Sequence, residues 1–270
     1  MLTKSNILSL SVNVINISQA VEHIITLAVK KSAAYVCVSN VHMCMEAFDD
    51  ISFQHIINNA DLIVADGRPI YWAQKILGHK QAQQVRGQDL MTELCAYSAD
   101  KKLNIGLYGG SCDKVLTKVI HELKQQFPNI RITYYFSPPF PELAESNAAK
   151  KSGINAELSR DTDQQLNATV IDNINNANVD ILFVGIGCPK QERWMAENSV
   201  KTSCVMLGVG AAFDFIAREK KHAPKWMQQS GLEWFYRLLA EPKRLAGRYL
   251  KQNPRFVYHF LKQLLNKSIQ

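Results

Sequence analysis

A chain of 270 residues, 47% of them hydrophobic, supports one large domain or a domain with an appendage, and has ample material for a core. Its six cysteines, at positions 37, 44, 95, 112, 188 and 204, form no C-x-x-C pair and no cluster with histidine. They therefore read as mostly buried, reduced thiols rather than a disulfide or metal framework. The net charge of +7 is concentrated: from Arg218 to Gln270 twelve Lys/Arg face three Asp/Glu, which leaves 19 basic and 21 acidic residues in the rest of the chain. A near-neutral body with a strongly basic tail points to a polyanionic partner, either nucleic acid or an anionic membrane face.

At the N-terminus, MLTKSNILSLSVNV is interrupted by Lys4-Ser5-Asn6 and has no signal-peptide core. No window reaches the roughly 18 apolar residues of a spanning helix, so the protein is expected to be soluble or to sit on a membrane without crossing it. In chain order, 35–40, 61–67, 103–110, 130–136, 179–187 and 204–210 read as strands, nearly all apolar on both faces. That is the pattern of strands covered by helices on each side. Amphipathic stretches at 18–31 and 112–127 lie between them, and the alternation predicts an α/β fold with a mainly parallel sheet. The polar segment 140–165 reads as a surface excursion. Beyond Pro224 strands disappear, and helical segments are expected to begin at Pro224, Pro242 and Pro254.

Ligands of parallel α/β sheets bind beyond the carboxyl ends of the strands. Four such ends carry suggestive groups: Ser39-Asn40, Asp66-Gly67, Gly109-Gly110 and Gly185-x-Gly187. Glycines there let backbone N–H groups approach a phosphate, although tight turns also demand glycine without any ligand. Lys190 stands where a dinucleotide fingerprint would place its third glycine, and no G-x-x-x-x-G-K-[ST] occurs, which argues against NAD and ATP. Asp66 is the leading candidate for a general base, since partial burial after an apolar strand raises a carboxylate's pKa; it also reads as an Asp-Gly turn. Arg86, with Asp89 nearby, is either a surface charge or a fork for phosphate. The D-x-D at 161–163 follows no apolar strand and reads as solvated loop rather than a metal site. Arg244, Arg248 and Lys251 share one helix face, and Phe256, Phe260, Leu261 and Leu264 form an apolar stripe edged by lysines. Such a helix lies in an anionic headgroup layer, or packs against the body.

Taken together, VADGRPIYWA, VRGQDLM, GLYGGS, YYFSPPF, ILFVGIGCPKQERWM, LGVGAAFDFIA and APKWMQQSGLEWFYRLLAEPKR occur in the order seen in the WecG/TagA/CpsF glycosyltransferases. The resemblance runs from about residue 7 to about 255. It implies a Rossmann-like body over 1–217 and a basic helical membrane-docking appendage over 218–270. It also implies an inverting transfer, needing neither metal nor cofactor, of a hexose from a UDP-sugar to a polyprenyl-diphosphate-linked sugar. The site would be peripheral on the inner face of the bacterial cell membrane. On the family's pattern Asp66 is the base; Ser39, Asn40, Gly67, Arg86, Asp89, Gly109, Gly110, Gly185, Gly187, Lys190, Gln191 and Glu192 belong to the substrate pocket. Arg237, Arg244 and Arg248 match the appendage arginines that serve the pyrophosphate.

Some positions depart from the family pattern. Gln84 stands where many members carry an arginine, with Arg86 two residues on; Arg218 and His222 replace a glycine and an arginine; Gly247 replaces a basic residue. NVHMCMEA and VGIGCPKQERWM look closest to the exopolysaccharide branch, which favours a neutral hexose such as glucose over a uronic acid. N-acetylmannosamine and N-acetylmannosaminuronic acid are the other donors of the family. A nucleic-acid partner would leave Asp66 and the glycine turns idle and is not expected. A non-catalytic scaffold of an assembly complex, and a homo-oligomer, remain open.

Overall fold

The computed structural model describes residues 2–138 and 153–267. The chain opens with β1 (Lys4–Ile7) and β2 (Leu10–Asn13), an antiparallel hairpin. Then follow α1 (Ile17–Val29), β3 (Ala34–Ser39), α2 (Val41–Asp49), α3 (Ile51–Asn58), β4 (Leu62–Ala65), α4 (Arg68–Ile76) and α5 (Gly87–Lys101). Next come β5 (Asn104–Gly109), α6 (Asp113–Gln126), β6 (Arg131–Phe136), α7 (Gly153–Asn176), β7 (Ile181–Gly185), α8 (Lys190–Asn198) and β8 (Val205–Gly208). The last described elements are α9 (Ala212–Ile216), α10 (Lys225–Ser230), α11 (Glu233–Ala240) and α12 (Pro242–Lys267).

Strands β3 to β8 form one six-stranded sheet in the order β4-β3-β8-β7-β5-β6, every pairing parallel. All six strands expected from the apolar runs are present, and the α/β class holds. Side chains alternate between two cores, as the period of a strand requires. Val36, Val38, Leu62, Val64, Leu107, Phe183 and Leu207 face the core shared with α1, α5 and α6. Cys37, Ile63, Leu182, Val184 and Met206 face the opposite core, shared with α2, α3 and α12.

Local chemistry starts the helices. Asn16 and Gln19 make a reciprocal capping box on α1, Asn40 accepts the Met43 N–H at the head of α2, and Asp50 accepts from Ser52 and Phe53 at the head of α3. The N-terminal hairpin is an addition to the predicted elements. It is held by Asn13, whose Oδ1 accepts the Ile63 N–H, and by the buried Gln74, whose Nε2 donates to the Asn13 carbonyl.

Three expectations need correction. The polar excursion is helical from Gly153, where α7 begins; the D-x-D lies on that helix, with side chains outside the described residues, as residues 139–152 are altogether. Pro254 starts no new helix but sits inside α12. An interior proline costs a helix about 3 kcal/mol, and here Phe256 and Phe260, 3% and 5% exposed, anchor the following turns in the core beside α2. The stripe on α12 is therefore divided: Phe256, Phe260 and Leu264 pack on the body, whereas Leu261 is exposed, in company with Val257, Tyr258 and Leu265. Arg255 pairs with Asp49 through both terminal nitrogens, the two bonds at 2.9 and 2.6 Å, and reinforces the same contact. None of the six cysteines is disulfide-bonded; four are buried, Cys188 is half-buried and Cys112 is exposed.

Candidate active site

Because all six strands are parallel, Ser39, Asp66, Gly109, Gly185 and Gly208 end at one edge of the sheet. The N–H groups of Asp66 and Gly67 both donate to the Ser39 carbonyl, at 2.9 and 3.2 Å, which joins the first two strand ends. A Cβ on Gly67 would meet Asn40 at 3.2 Å, so a glycine suits that close approach. Asn40 spends its side-chain oxygen on capping α2, and Ser39 is fully buried with its Oγ unpartnered.

Asp66 is the focus of the edge. Its Oδ1 accepts the Gly87 N–H at 3.0 Å, and Gln84 Nε2 donates to its carbonyl at 2.6 Å. Gln84 thus positions the backbone of Asp66. Burial pushes the carboxyl from 3.8 up to about 6, outweighing the Gly87 N–H and the charges of Arg237 and Arg86, which favour ionisation; Glu233 adds to the rise. A carboxylate tuned to that range accepts a proton readily near neutral pH.

The glycine turns divide into two kinds. A Cβ on Gly109 would lie 2.5 Å from the Gly185 carbonyl oxygen, and one on Gly185 would touch Phe213 at 3.0 Å. The Gly110 N–H donates to the Gly185 carbonyl at 3.1 Å. Gly109 and Gly185 are demanded by close packing and Gly110 by its φ of +92, whether or not a ligand binds. Gly187 differs: it has φ +87 and open space where a side chain would be, leaving its backbone accessible. Gln191 closes this turn, its N–H donating to the Gly187 carbonyl at 2.9 Å and its Oε1 accepting the Gly187 N–H at 3.3 Å. Gln191 Nε2 in turn donates to Glu192 Oε1 at 2.6 Å. Both side chains are turned inward, Gln191 at 3% and Glu192 at 0% exposure, while Lys190 is exposed at the start of α8. Burial lifts Glu192 to about 7, against hydrogen bonds from Gln191 and Cys188.

The C-terminal helices pack against this edge. Arg86 occupies the N-cap position of α5 and bonds Asp89 through Nε at 2.7 Å; its Nη1 meets Gln228 Oε1 and lies 3.7 Å from Glu233. Arg68 Nη2 donates to the Gln228 carbonyl at 2.6 Å. Arg237 lies over the Phe215 ring at 5.4 Å, close enough for its charge to act on Asp66, and its Nε is buried without a partner. Arg248 Nε is likewise buried and unpartnered, and burial lowers the pKa of this guanidinium. Arg244 instead pairs with Glu241 at 2.6 Å on the exposed side. Two arginines whose buried Nε atoms lack partners are suited to bind an anion.

Among the described residues, no group of three or more His, Cys, Asp or Glu is placed to hold a metal ion. The family profile for "Glycosyl transferase WecG/TagA/CpsF family" matches residues 5–270. The chain belongs to this family of glycosyltransferases. Curated relatives include an N-acetylglucosaminyldiphosphoundecaprenol N-acetyl-beta-D-mannosaminyltransferase of Bacillus subtilis strain 168, 26% identical over 88% of this chain and 83% of the relative. The protein of the same name from Staphylococcus aureus strain NCTC 8325 is 29% identical over 96% of this chain and 92% of its own length. This protein is therefore an enzyme, a hexosyltransferase.

Several residues at the candidate site gave no signal in the sequence. His42, in the first turn of α2, is half-buried 3.5 Å from Glu46, and burial together with the Arg248 charge holds it below its ordinary pKa. Trp194 stacks on Tyr108 at 4.3 Å, beside the Gly109 turn, and donates its Nε1–H to Asn167 at 2.7 Å. Gln228 and Glu233 matter through Arg86, a contact between segments more than 140 residues apart. Only the tertiary fold brings them together. Among the described residues no helix is long and apolar enough to cross a membrane.

Proposed function

We propose that this glycosyltransferase moves a hexose from a UDP-sugar to a polyprenyl-diphosphate-linked sugar, with inversion and without a metal, at the inner face of the bacterial cell membrane. The observation that carries the reading is Asp66: a carboxyl raised to about 6, anchored by the Gly87 N–H, facing the charge of an appendage arginine. In the step envisaged, the acceptor hydroxyl gives its proton to Asp66 as its oxygen attacks the anomeric carbon. The bond from that carbon to UDP breaks, and the electron pair leaves on the diphosphate. Arg237 and Arg248, with donors to spare, receive the charge that develops there, and the exposed Gly187 turn leaves room for the diphosphate. Arg244 supplies longer-range attraction from the rim. Residues 218–270 serve as the docking appendage, and their +9 charge suits an anionic leaflet.

The names of the relatives favour an N-acetylmannosamine donor and an N-acetylglucosamine-diphosphoundecaprenol acceptor; a neutral hexose such as glucose is the second donor to test. UDP release is measured with UDP-N-acetylmannosamine, UDP-glucose and UDP-N-acetylmannosaminuronic acid on a polyprenyl-diphosphate-sugar acceptor, for wild type and Asp66→Asn. Release from one donor, reduced by about 10²-fold or more in the variant, is the expected result. Equal rates for the two proteins would remove Asp66 from the reaction, and silence with every donor and acceptor would favour a scaffold.

A further inference from the structure

Helix α4 of the body carries an outward apolar stripe that the reaction does not use. Trp72 and Ile76, four residues apart and so on one helix face, are 44% and 62% exposed, while Ile70, Ala73 and Gln74 are buried on the other. The stripe is continuous with the C-terminal helices. Gly231, between α10 and α11, adopts φ +79, and a Cβ there would stand 2.7 Å from the Trp72 ring. Close to that turn Trp226, Trp234 and Phe235 are exposed at 62%, 43% and 42%. Trp234 meets Phe235 and Tyr249 edge-on, which ties α12 into the same face.

The charges around this face select its partner. Lys225, next to Trp226, and Lys243, at the start of α12, are exposed, whereas the acids Glu233 and Glu241 of these helices are engaged, Glu233 with Arg86 and Glu241 with Arg244 and Lys220. Indole rings within a cationic rim match the layer between headgroups and acyl chains of an anionic bilayer. A protein partner would leave the lysines in need of acidic counterparts.

We infer that α4 is a bilayer-inserting element of the catalytic body, with Trp72 and Ile76 entering the headgroup layer alongside the appendage. This rests on the membrane-facing reading of the appendage and adds to it a contact made by the body. The consequence is positional. Arg68 opens α4 immediately after Asp66-Gly67, and Trp72 lies about 6 Å further along the helix axis. A Trp72 anchored in the headgroups holds the base within reach of a lipid-linked diphosphate sugar, so the body and not only the appendage sets the orientation of the site.

The test uses the full chain. In a Trp226→Phe/Trp234→Phe variant the tryptophans are Trp72 and Trp194, the latter stacked on Tyr108. Vesicles of phosphatidylglycerol and phosphatidylcholine with brominated acyl chains should quench Trp72 and shift its emission to the blue, and the additional Trp72→Phe change should abolish both effects. In parallel, Trp72→Gln/Ile76→Gln should lower vesicle partitioning and turnover on long-chain acceptor by about tenfold. Turnover on a short-chain, water-soluble acceptor should stay within about twofold of wild type. Vesicle binding without Trp72 quenching overturns this inference and leaves the appendage reading standing; no vesicle binding by the wild type overturns both. An equal loss on the two acceptors, or a concentration-dependent dimer that Trp72→Gln dissolves, would assign the stripe to packing or to a second copy.

Discussion

The raised pKa of Asp66 carries a cost in stability that can be measured apart from catalysis. The folded protein binds the Asp66 proton more tightly than the unfolded chain does, with a pKa of about 6 against 3.8. Folding stability therefore falls as pH rises between those values, and the loss is complete above about 6. A rise of that size is equivalent to about 3 kcal/mol. Asp66→Asn removes the ionisation but keeps a carbonyl oxygen for the Gly87 N–H at Oδ1. The variant should be more stable than wild type at pH 8 by about 1–3 kcal/mol, the lower figure allowing for a poorly placed amide. For a chain of this size that is roughly 2–12 °C in Tm. The advantage should vanish below about pH 4, where both proteins carry a neutral side chain. Denaturant titrations of the two proteins at pH 4 and pH 8 read it directly. A variant less stable than wild type at pH 8, or a difference that does not change with pH, would refute the account of Asp66 as a carboxylate strained by burial.

The neighbours of Asp66 should tune its titration in opposite directions. Arg237→Met removes a charge that favours ionisation, so the acid limb of the kcat/KM–pH profile, near 6 in the wild type, should move up; Glu233→Gln should move it down. Parallel movement in both variants would contradict this. Gly109→Ala places a Cβ 2.5 Å from a backbone oxygen and should lower stability more than Gly187→Ala, which meets open space and bears only the cost of φ +87, about 1–2 kcal/mol. For Gly187→Ala the expected signature is a higher KM for donor in steady-state assays, with a Tm loss no larger than this strain accounts for, about 2–8 °C. Phe256→Ala should cost about 3–5 kcal/mol where α12 docks on α2, seen as faster limited proteolysis within 242–267; unchanged cleavage would mean that α12 is held elsewhere.

Much of the fold was legible because a parallel sheet leaves a strong local mark. Runs such as DLIVADG and DILFVGIG are apolar on both faces, and only strands sandwiched between helix layers tolerate that. The polar residue that ends each run fell at the ligand edge for the same reason, so Asp66 and Gly187 could be named from sequence. The hairpin at 4–13 escaped because strands of four residues carry too little alternation, and its hold depends on Asn13 and Gln74 bonding across 50 to 61 residues. Pro254 misled because helix propensity is local, whereas the burial of Phe256 and Phe260 that carries α12 through it is not.

The sequence by itself determined the class of sheet, the edge that bears the candidate site, the family and the charge asymmetry, since each is written in residue type and spacing. What the tertiary structure decided is which of those residues serve each other. Gln191, read as a pocket residue, bonds the Gly187 turn, and the buried Glu192 holds Gln191 in turn. Arg237 is named from the family pattern as a pyrophosphate arginine, and the fold adds that its charge acts on Asp66, 171 positions earlier in the chain. Distances of that kind depend on how helices pack, and packing is a property of surfaces brought together by folding.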